Sequence, residues 1–124
     1  MKNLLLLGAG RIGQVHAANV VARKDARLYG VVDVQRPAAA ALAASTGARV
    51  FDSADAALVD PAVDAVLICT STDTHVEMIL KAAHAHKPIF CEKPVDLDIA
   101  KVNRCLAEVT KAGVPLLMGF NRRF

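Results

Sequence analysis

The stretch Leu4-Leu5-Leu6-Leu7-Gly8-Ala9-Gly10-Arg11-Ile12-Gly13 joins a run of leucines to a segment with helical periodicity. A GxGxxG pattern between a strand and a helix is typical of the first turn of a dinucleotide-binding βαβ unit. Gly8 would permit the tight turn, Gly10 would let a pyrophosphate approach the backbone, and Gly13 would let the helix pack closely on the sheet. The pyrophosphate would lie at the helix N-terminus, where backbone N–H groups lack intrahelical partners.

Asp33 ends the second apolar run, about twenty positions after Gly13, as the dinucleotide-binding fingerprint requires. Its carboxylate would accept hydrogen bonds from the adenosine ribose hydroxyls and repel a 2′-phosphate, which predicts NAD rather than NADP. Arg36 could in principle accept a phosphate, but the neighbouring carboxylate favours NAD. Two alternatives remain open: Asp33 as a turn-forming residue, and the glycines as an ordinary turn that binds no ligand.

Composition predicts a single globular domain over residues 1–124. The chain is 54% hydrophobic with a formal net charge of +3, and its Lys and Arg residues are scattered. Such a distribution does not indicate a nucleic-acid or membrane surface. The N-terminal apolar run is too short to span a membrane and no cleavage site follows it, so we expect a cytoplasmic protein.

The three cysteines, Cys69, Cys91 and Cys105, form no CxxC pair. Two of them end apolar runs and the third lies within a helical pattern, which predicts buried small side chains in a reducing compartment. A zinc site would need grouped Cys and His ligands at short spacing, and we predict no metal site.

Apolar runs alternate with helix-period segments along the whole chain. The predicted strands are Asn3–Leu7, Arg27–Asp33, Ala48–Phe51, Ala65–Cys69, Ile89–Cys91 and Leu116–Met118. The predicted helices are Arg11–Ala22, Pro37–Ser45, Ala54–Leu58, Thr74–His84 and Leu97–Lys111. This alternation predicts an α/β, doubly wound Rossmann-type fold with parallel strands in the order 3-2-1-4-5-6.

Three helix ends carry capping signals. Thr74 and Glu77 fit a capping box, although Thr72 or Asp73 could take the cap instead. Asp96 or Asp98 can cap the last long helix, and Gly113 suits its C-terminal end.

Polar residues follow the strands at the sheet edge where ligands bind in open α/β folds. Strand four is followed by Thr70-Ser71-Thr72-Asp73-Thr74-His75, strand five by Glu92-Lys93-Pro94, and strand six by Gly119-Phe120-Asn121-Arg122-Arg123. Lys93 is either a tuned amine that contacts a substrate hydroxyl or a solvated lysine paired with Glu92. His75 either bonds a ligand or lies on a helix surface. His16, His84 and His86 are interpreted as surface or packing residues on helices.

Taken together, these motifs resemble the N-terminal domain of the Gfo/Idh/MocA family. The resemblance covers all 124 residues, and it rests on Gly8-Ala9-Gly10-Arg11-Ile12-Gly13, Thr70-Ser71-Thr72-Asp73-Thr74-His75, Cys91-Glu92-Lys93-Pro94 and Gly119-Phe120-Asn121-Arg122-Arg123-Phe124. The Glu-Lys-Pro element is the most specific of the four. The closing Gly-Phe-Asn-Arg-Arg-Phe looks most like the inositol 2-dehydrogenase branch.

The resemblance implies a nicotinamide-dependent oxidation or reduction of a secondary alcohol on a sugar or polyol. Lys93 matches the lysine that contacts substrate and assists proton transfer, Glu92 and Pro94 match its partners, and the Lys-Pro bond is often cis. Ser71, His75 and Asn121 match positions near the nicotinamide or ribose. We also predict cofactor contacts from Ala9, Arg11, Ile12, Thr70, Thr72, Glu92 and Lys93.

The family's second domain, with its principal Asp and His catalytic residues, is missing from this sequence. We therefore expect a fragment that binds NAD but catalyses little alone, taken from a homo-oligomeric enzyme acting on a polyol such as myo-inositol. The rival interpretation is a non-catalytic NAD sensor or regulatory module on the same fold. The retention of Glu92 and Lys93 argues against that rival, because dinucleotide binding alone does not need them.

Overall fold

The computed structural model describes residues 1–120 of the chain. Strands and helices alternate along the chain, and the strands form one parallel six-stranded sheet in the order β3-β2-β1-β4-β5-β6. The strands are β1 (Lys2–Leu7), β2 (Ala26–Val32), β3 (Arg49–Val50), β4 (Ala65–Ile68), β5 (Ile89–Glu92) and β6 (Leu116–Gly119). The predicted Rossmann-type order is confirmed, and the strand order reverses between β1 and β4, where such sheets bind ligands.

Five α-helices connect the strands. They are α1 (Arg11–Val21), α2 (Arg36–Thr46), α3 (Ala54–Leu58), α4 (His75–His84) and α5 (Ile99–Ala112). A 3₁₀ turn over Thr72–Thr74 precedes α4. No helix in residues 1–120 is long and apolar enough to cross a membrane.

The sheet separates two apolar clusters. Leu5, Leu7 and Val66 face one cluster, which receives side chains from α3, α4 and α5. Leu6 and Val31 face the other, together with residues of α1 and α2. Parallel strands buried on both faces are therefore apolar along their whole length, which is why β1 reads as a run of leucines.

Most predicted boundaries lie within two residues of the observed ones, and helix caps account for part of the difference. Asp98 caps α5 by accepting a hydrogen bond from the Ala100 N–H at 2.9 Å, and Gly113 ends the helix in the left-handed region at φ 72°. The predicted capping box at Thr74 is wrong. The Thr74 Oγ1 lies 2.7 Å from the Ser71 carbonyl oxygen, so it stabilises the preceding turn and does not cap α4.

Candidate functional site

The glycine turn between β1 and α1 is closed by contacts that exclude side chains. Gly8 has φ +99°, a conformation that L side chains rarely adopt, and a Cβ there would lie 2.5 Å from the Cys69 carbonyl oxygen. A Cβ on Gly13 would lie 2.0 Å from the Gly8 carbonyl oxygen. The turn therefore brings the first turn of α1 against the C-terminal end of β1, as the motif predicts.

Gly10 differs from its two neighbours because the space beside it is open. Apart from its own chain neighbours, no heavy atom of residues 1–120 lies within 4 Å of the position a Cβ would take. Gly10 is also the N-cap of α1, and no side chain caps the helix or places an acid in its first turn. The first N–H groups of α1 thus face an open, uncapped surface that suits an anion such as a pyrophosphate.

Asp33 follows β2 directly and lies beside this turn. Its Oδ2 accepts a hydrogen bond from the Ala9 N–H at 2.6 Å, and its Oδ1 accepts one from the Gln35 N–H at 2.7 Å. Because a carboxylate offers about four lone-pair sites, Asp33 can shape the turn and still accept hydrogen bonds from a ligand. The turn-forming alternative and the ligand-binding one are therefore compatible.

A cleft of about 490 Å³ lies along the C-terminal edge of the sheet. Five residues of the predicted site line it: Gly8, Gly10, Asp33, Thr70 and Ser71. The rest of the predicted residues in the described part of the chain do not line it: Ala9, Arg11, Ile12, Gly13, Thr72, His75, Glu92 and Lys93. Asn121 lies outside the described residues. The glycine turn, Asp33 and the loop after β4 thus share one cavity.

The structure also adds residues that the sequence analysis missed. Asp52 and Ser53 follow β3, Asp55 opens α3, and Met78 and Lys81 lie on α4; all five line the cleft. The rule that polar residues after each strand reach the site would have found Asp52 and Ser53 had it been applied to β3. The two α4 residues carry no such local signal.

Two cations beside the β3 and α4 side of the cleft, Arg36 and Lys81, form ion pairs with carboxylates. Arg36 forms an ion pair with Asp52. Lys81 Nζ lies 3.2 Å from Asp55 Oδ2 and 3.2 Å from Glu77 Oε1, and hydrogen bonding to these carboxylates raises the pKa of Lys81. A phosphate group bound here would compete with these carboxylates for both cations.

His75 joins the loops that follow β4 and β5. The residue is 1% exposed, so the helix-surface alternative is wrong. Its Nδ1 lies 2.6 Å from the Pro94 carbonyl oxygen, and its Nε2 lies 3.0 Å from the Thr70 carbonyl oxygen. The ring therefore ties the Lys93–Pro94 segment, whose peptide bond is cis as the resemblance implies, to the loop that lines the cleft.

Glu92 ends β5 and Lys93 follows it directly, and their side chains have different surroundings. Lys93 is exposed. The Glu92 Oε1 lies 2.6 Å from the Nε2 of His16 on α1. Within residues 1–120 the carboxylate therefore pairs with His16, and the alternative of a Glu92–Lys93 pair is not seen. His16 is accordingly a packing residue with a polar partner, and His86 lies in the turn after α4 with φ 56° rather than on a helix.

The cysteines match the expectation of buried side chains. Cys69, Cys91 and Cys105 are all buried and free. Burial raises the pKa of the Cys69 and Cys91 thiols to about 12, which disfavours the reactive thiolate. Within residues 1–120, no group of three or more His, Cys, Asp or Glu side chains is placed to hold a metal ion.

Comparison with known proteins agrees with this geometry. The profile of the Gfo/Idh/MocA family, described as an oxidoreductase family with an NAD-binding Rossmann fold, matches residues 2–120. The chain belongs to this family.

Two kinds of Gfo/Idh/MocA relative are informative. The inositol 2-dehydrogenase of Rhizobium meliloti strain 1021 is 50% identical over 121 residues, which are 96% of this chain and 36% of that protein. The crystal structure of a myo-inositol dehydrogenase from Corynebacterium glutamicum has a TM-score of 0.92 at 39% identity, and the match covers 100% of this chain and 37% of that one.

A third Gfo/Idh/MocA relative was solved with ligands. The scyllo-inositol dehydrogenase of Lactobacillus casei, with bound NAD(H) and scyllo-inositol, has a TM-score of 0.93 at 28% identity; the match covers 100% of this chain and 37% of that one. The chain thus spans little more than a third of the length of the relatives it matches.

Proposed function

We propose that residues 1–124 form the NAD-binding domain of a cytoplasmic, homo-oligomeric dehydrogenase that oxidises a secondary alcohol of a polyol, with myo-inositol as the substrate. The observation that carries the proposal is the uncapped N-terminus of α1, which opens at Gly10 into the same cleft as Asp33. The names of the inositol dehydrogenase relatives support the substrate class.

The residues present fit a dinucleotide along the whole cleft. The N–H groups at the start of α1 would hold the pyrophosphate next to Gly10. The Asp33 carboxylate would accept the ribose hydroxyls, while Ser53 and Met78 lie toward the β3 and α4 side of the cavity. When bound, the nicotinamide would accept a hydride from the alcohol carbon.

NAD is expected to bind more tightly than NADP. A 2′-phosphate on the ribose would approach the Asp33 carboxylate, which already holds two N–H groups and cannot turn away without losing them. The two cations nearby, Arg36 and Lys81, are engaged by Asp52 and Asp55. The carboxylates of Asp33, Asp52 and Asp55 outnumber these two cations, so a 2′-phosphate would meet net repulsion.

On the substrate side, Lys93 is proposed to hydrogen-bond the reacting hydroxyl and assist removal of its proton. It is exposed at the end of β5, in a segment tied through Pro94 and His75 to the cofactor loop. Such placement would orient an amine near the nicotinamide end of the cleft. The remaining proposed cofactor contacts are Ala9, Arg11, Ile12, Thr72 and Asn121. The side chains of His75 and Glu92 are engaged by protein groups instead.

Calorimetric titration of the chain with NAD and with NADP tests the cofactor proposal. Binding of NAD with weaker binding of NADP is expected, and Asp33→Ala should narrow the difference. Failure of both nucleotides to bind would contradict the proposal. For activity, the polypeptide encoded by the complete reading frame should reduce NAD in the presence of myo-inositol; NAD binding with no polyol oxidation would favour a non-catalytic module.

A further inference from the structure

His16 and Glu92 form a close contact between α1 and β5 that the proposed cofactor and substrate contacts leave unexplained. The Nε2 of His16 lies 2.6 Å from Glu92 Oε1, with side-chain exposures of 22% and 17%. The two residues are 76 positions apart in sequence. Only the fold brings them together. The contact involves Glu92, the residue directly before Lys93.

The surroundings leave this pair little freedom. The His16 ring packs edge-on against Phe90, with ring centroids 5.0 Å apart and an interplanar angle of 62°. Gly119 of β6 also approaches closely, since a Cβ there would lie 2.8 Å from Phe90 Cζ and 3.2 Å from Glu92 Oε1. Three elements, α1, β5 and β6, thus enclose the Glu92 carboxylate.

A second histidine–carboxylate pair in the chain shows what an incidental contact looks like. His84 of α4 and Glu108 of α5 are 3.8 Å apart, with exposures of 65% and 48%. Exposed pairs of this kind contribute little. The His16–Glu92 distance is shorter, both side chains are half as exposed or less, and the His16 ring packs against Phe90. His16 therefore restricts the Glu92 carboxylate in a way that His84 does not restrict Glu108.

We propose that His16 is a positioning residue for the dehydrogenase reaction: its ring holds Glu92 against β6, and Glu92 thereby sets the direction in which Lys93 leaves β5. The proposal rests on the proposed function of Lys93. By engaging the carboxylate, His16 also keeps Glu92 from pairing with the Lys93 ammonium, which stays available to a substrate hydroxyl. His16 itself contacts neither cofactor nor substrate.

The test uses four variants of the complete encoded polypeptide. His16→Leu removes the N–H donor, and His16→Gln keeps a donor at similar reach. Gly119→Ala crowds Phe90 and Glu92 from β6, and His84→Leu is the matched histidine control. We expect His16→Leu and Gly119→Ala to lower kcat for polyol oxidation roughly tenfold or more, because small misplacements at a reacting centre are costly. NAD affinity should stay within about twofold, since the pair lies outside the cofactor cleft.

The conservative variant decides between positioning and general packing. His16→Gln should recover most of the lost kcat, and His84→Leu should behave as the unmodified protein. Equal kcat in His16→Leu and the unmodified protein would overturn the proposal, as would a loss of NAD affinity in proportion to kcat or a His16→Gln variant as slow as His16→Leu.

A separate readout keeps this proposal distinct from the proposed function. In NMR spectra of the 124-residue chain, His16→Leu should shift the amide resonances of Glu92, Lys93 and Gly119, and His16→Gln should leave them near their original positions. If the unmodified enzyme oxidises no polyol, the proposed function fails. Unshifted resonances at Glu92 and Lys93 in His16→Leu would overturn the positioning proposal whatever the activity.

Discussion

Replacing each of three glycines by Ala separates three surroundings: close packing at Gly13, a left-handed backbone at Gly47 and an open surface at Gly10. At Gly13 the added Cβ would lie 2.0 Å from the Gly8 carbonyl oxygen, whereas real Cβ contacts essentially never fall below 3.0 Å. At Gly47 the obstacle is only φ +77°, with open space around it. At Gly10 there is neither obstacle, because φ is −75° and, chain neighbours aside, no described residue places a heavy atom within 4 Å of an added Cβ.

The expected costs follow from these differences. Gly13→Ala must separate α1 from β1 by roughly 1 Å, because the overlap is with a backbone oxygen rather than a flexible side chain. The cost therefore lies at the upper end of the usual overpacking range, about 3 kcal/mol, and the ~1 kcal/mol that Ala gains over Gly in a helix offsets part of it. We therefore expect a net loss of about 2 kcal/mol. Gly47→Ala should cost about 1–2 kcal/mol, the usual penalty of a left-handed L-residue, and Gly10→Ala less than about 1 kcal/mol.

Urea unfolding and calorimetry measure the two consequences separately. Gly13→Ala should unfold at lower urea than Gly47→Ala, and Gly10→Ala close to the unmodified chain. Gly10→Ala should nevertheless lose about tenfold in NAD affinity, which is about 1.4 kcal/mol, because the methyl group occupies the surface that a pyrophosphate must approach. Gly47→Ala should bind NAD normally, because Gly47 ends α2 and does not line the cleft.

Two results would refute this reasoning. If Gly10→Ala bound NAD as well as the unmodified chain, the open surface beside it would not be the pyrophosphate site. If Gly13→Ala proved as stable as Gly10→Ala, the close approach of α1 to β1 would not limit the turn.

Three further predictions concern Asp33, the buried thiols and Lys93. Asp33→Asn should destabilise the ligand-free chain by about 2 kcal/mol, since one of two charge-assisted hydrogen bonds to backbone N–H groups is lost; the exposed Asp25→Asn control should change urea unfolding little, and equal effects would contradict a structural role for Asp33. Burial raises the pKa of the Cys69 and Cys91 thiols from 9.0 to about 12. Their contribution to the free energy of unfolding is therefore complete below pH 9 and declines between pH 9 and 12, because the unfolded chain releases these protons first. Thermal unfolding against pH should show a shallower alkaline decline in Cys91→Ala than in the unmodified chain, and parallel curves would count against it. Lys93→Ala should sharply lower turnover of the complete protein with NAD affinity nearly intact; loss of NAD binding by calorimetry would remove Lys93 from the substrate side.

Much of the fold could be predicted because its signals are local. The order of apolar runs and helical segments, with short connections between them, leaves few topologies for a parallel sheet. The GxGxxG turn was located from sequence because the spacing of its glycines is a local signal, although Gly8 also meets the distant Cys69 carbonyl oxygen. The short strand β3, observed only over Arg49–Val50, was predicted two residues too long because its flanking Ala48 and Phe51 are apolar for reasons of packing.

The site was only partly predictable because its contacts join distant segments. The Thr74 hydroxyl could bond either to the backbone of its helix or to the loop before it, and in the structure it donates to the Ser71 carbonyl oxygen of the loop. The same is true of His75, whose two nearest acceptors are carbonyl oxygens of Thr70 and Pro94. Sequence spacing does not report which of several acceptors a buried ring will meet.

The sequence by itself determined the parallel sheet, its strand order, the glycine turn and the placement of Asp33, because periodicity and turn chemistry act over a few residues. Only the tertiary structure decided that Glu92 pairs with His16 rather than Lys93, that Asp52 holds Arg36, and that α4 contributes Met78 and Lys81 to the cleft. These contacts depend on how helices cross a twisted sheet, and packing of whole elements sets that geometry.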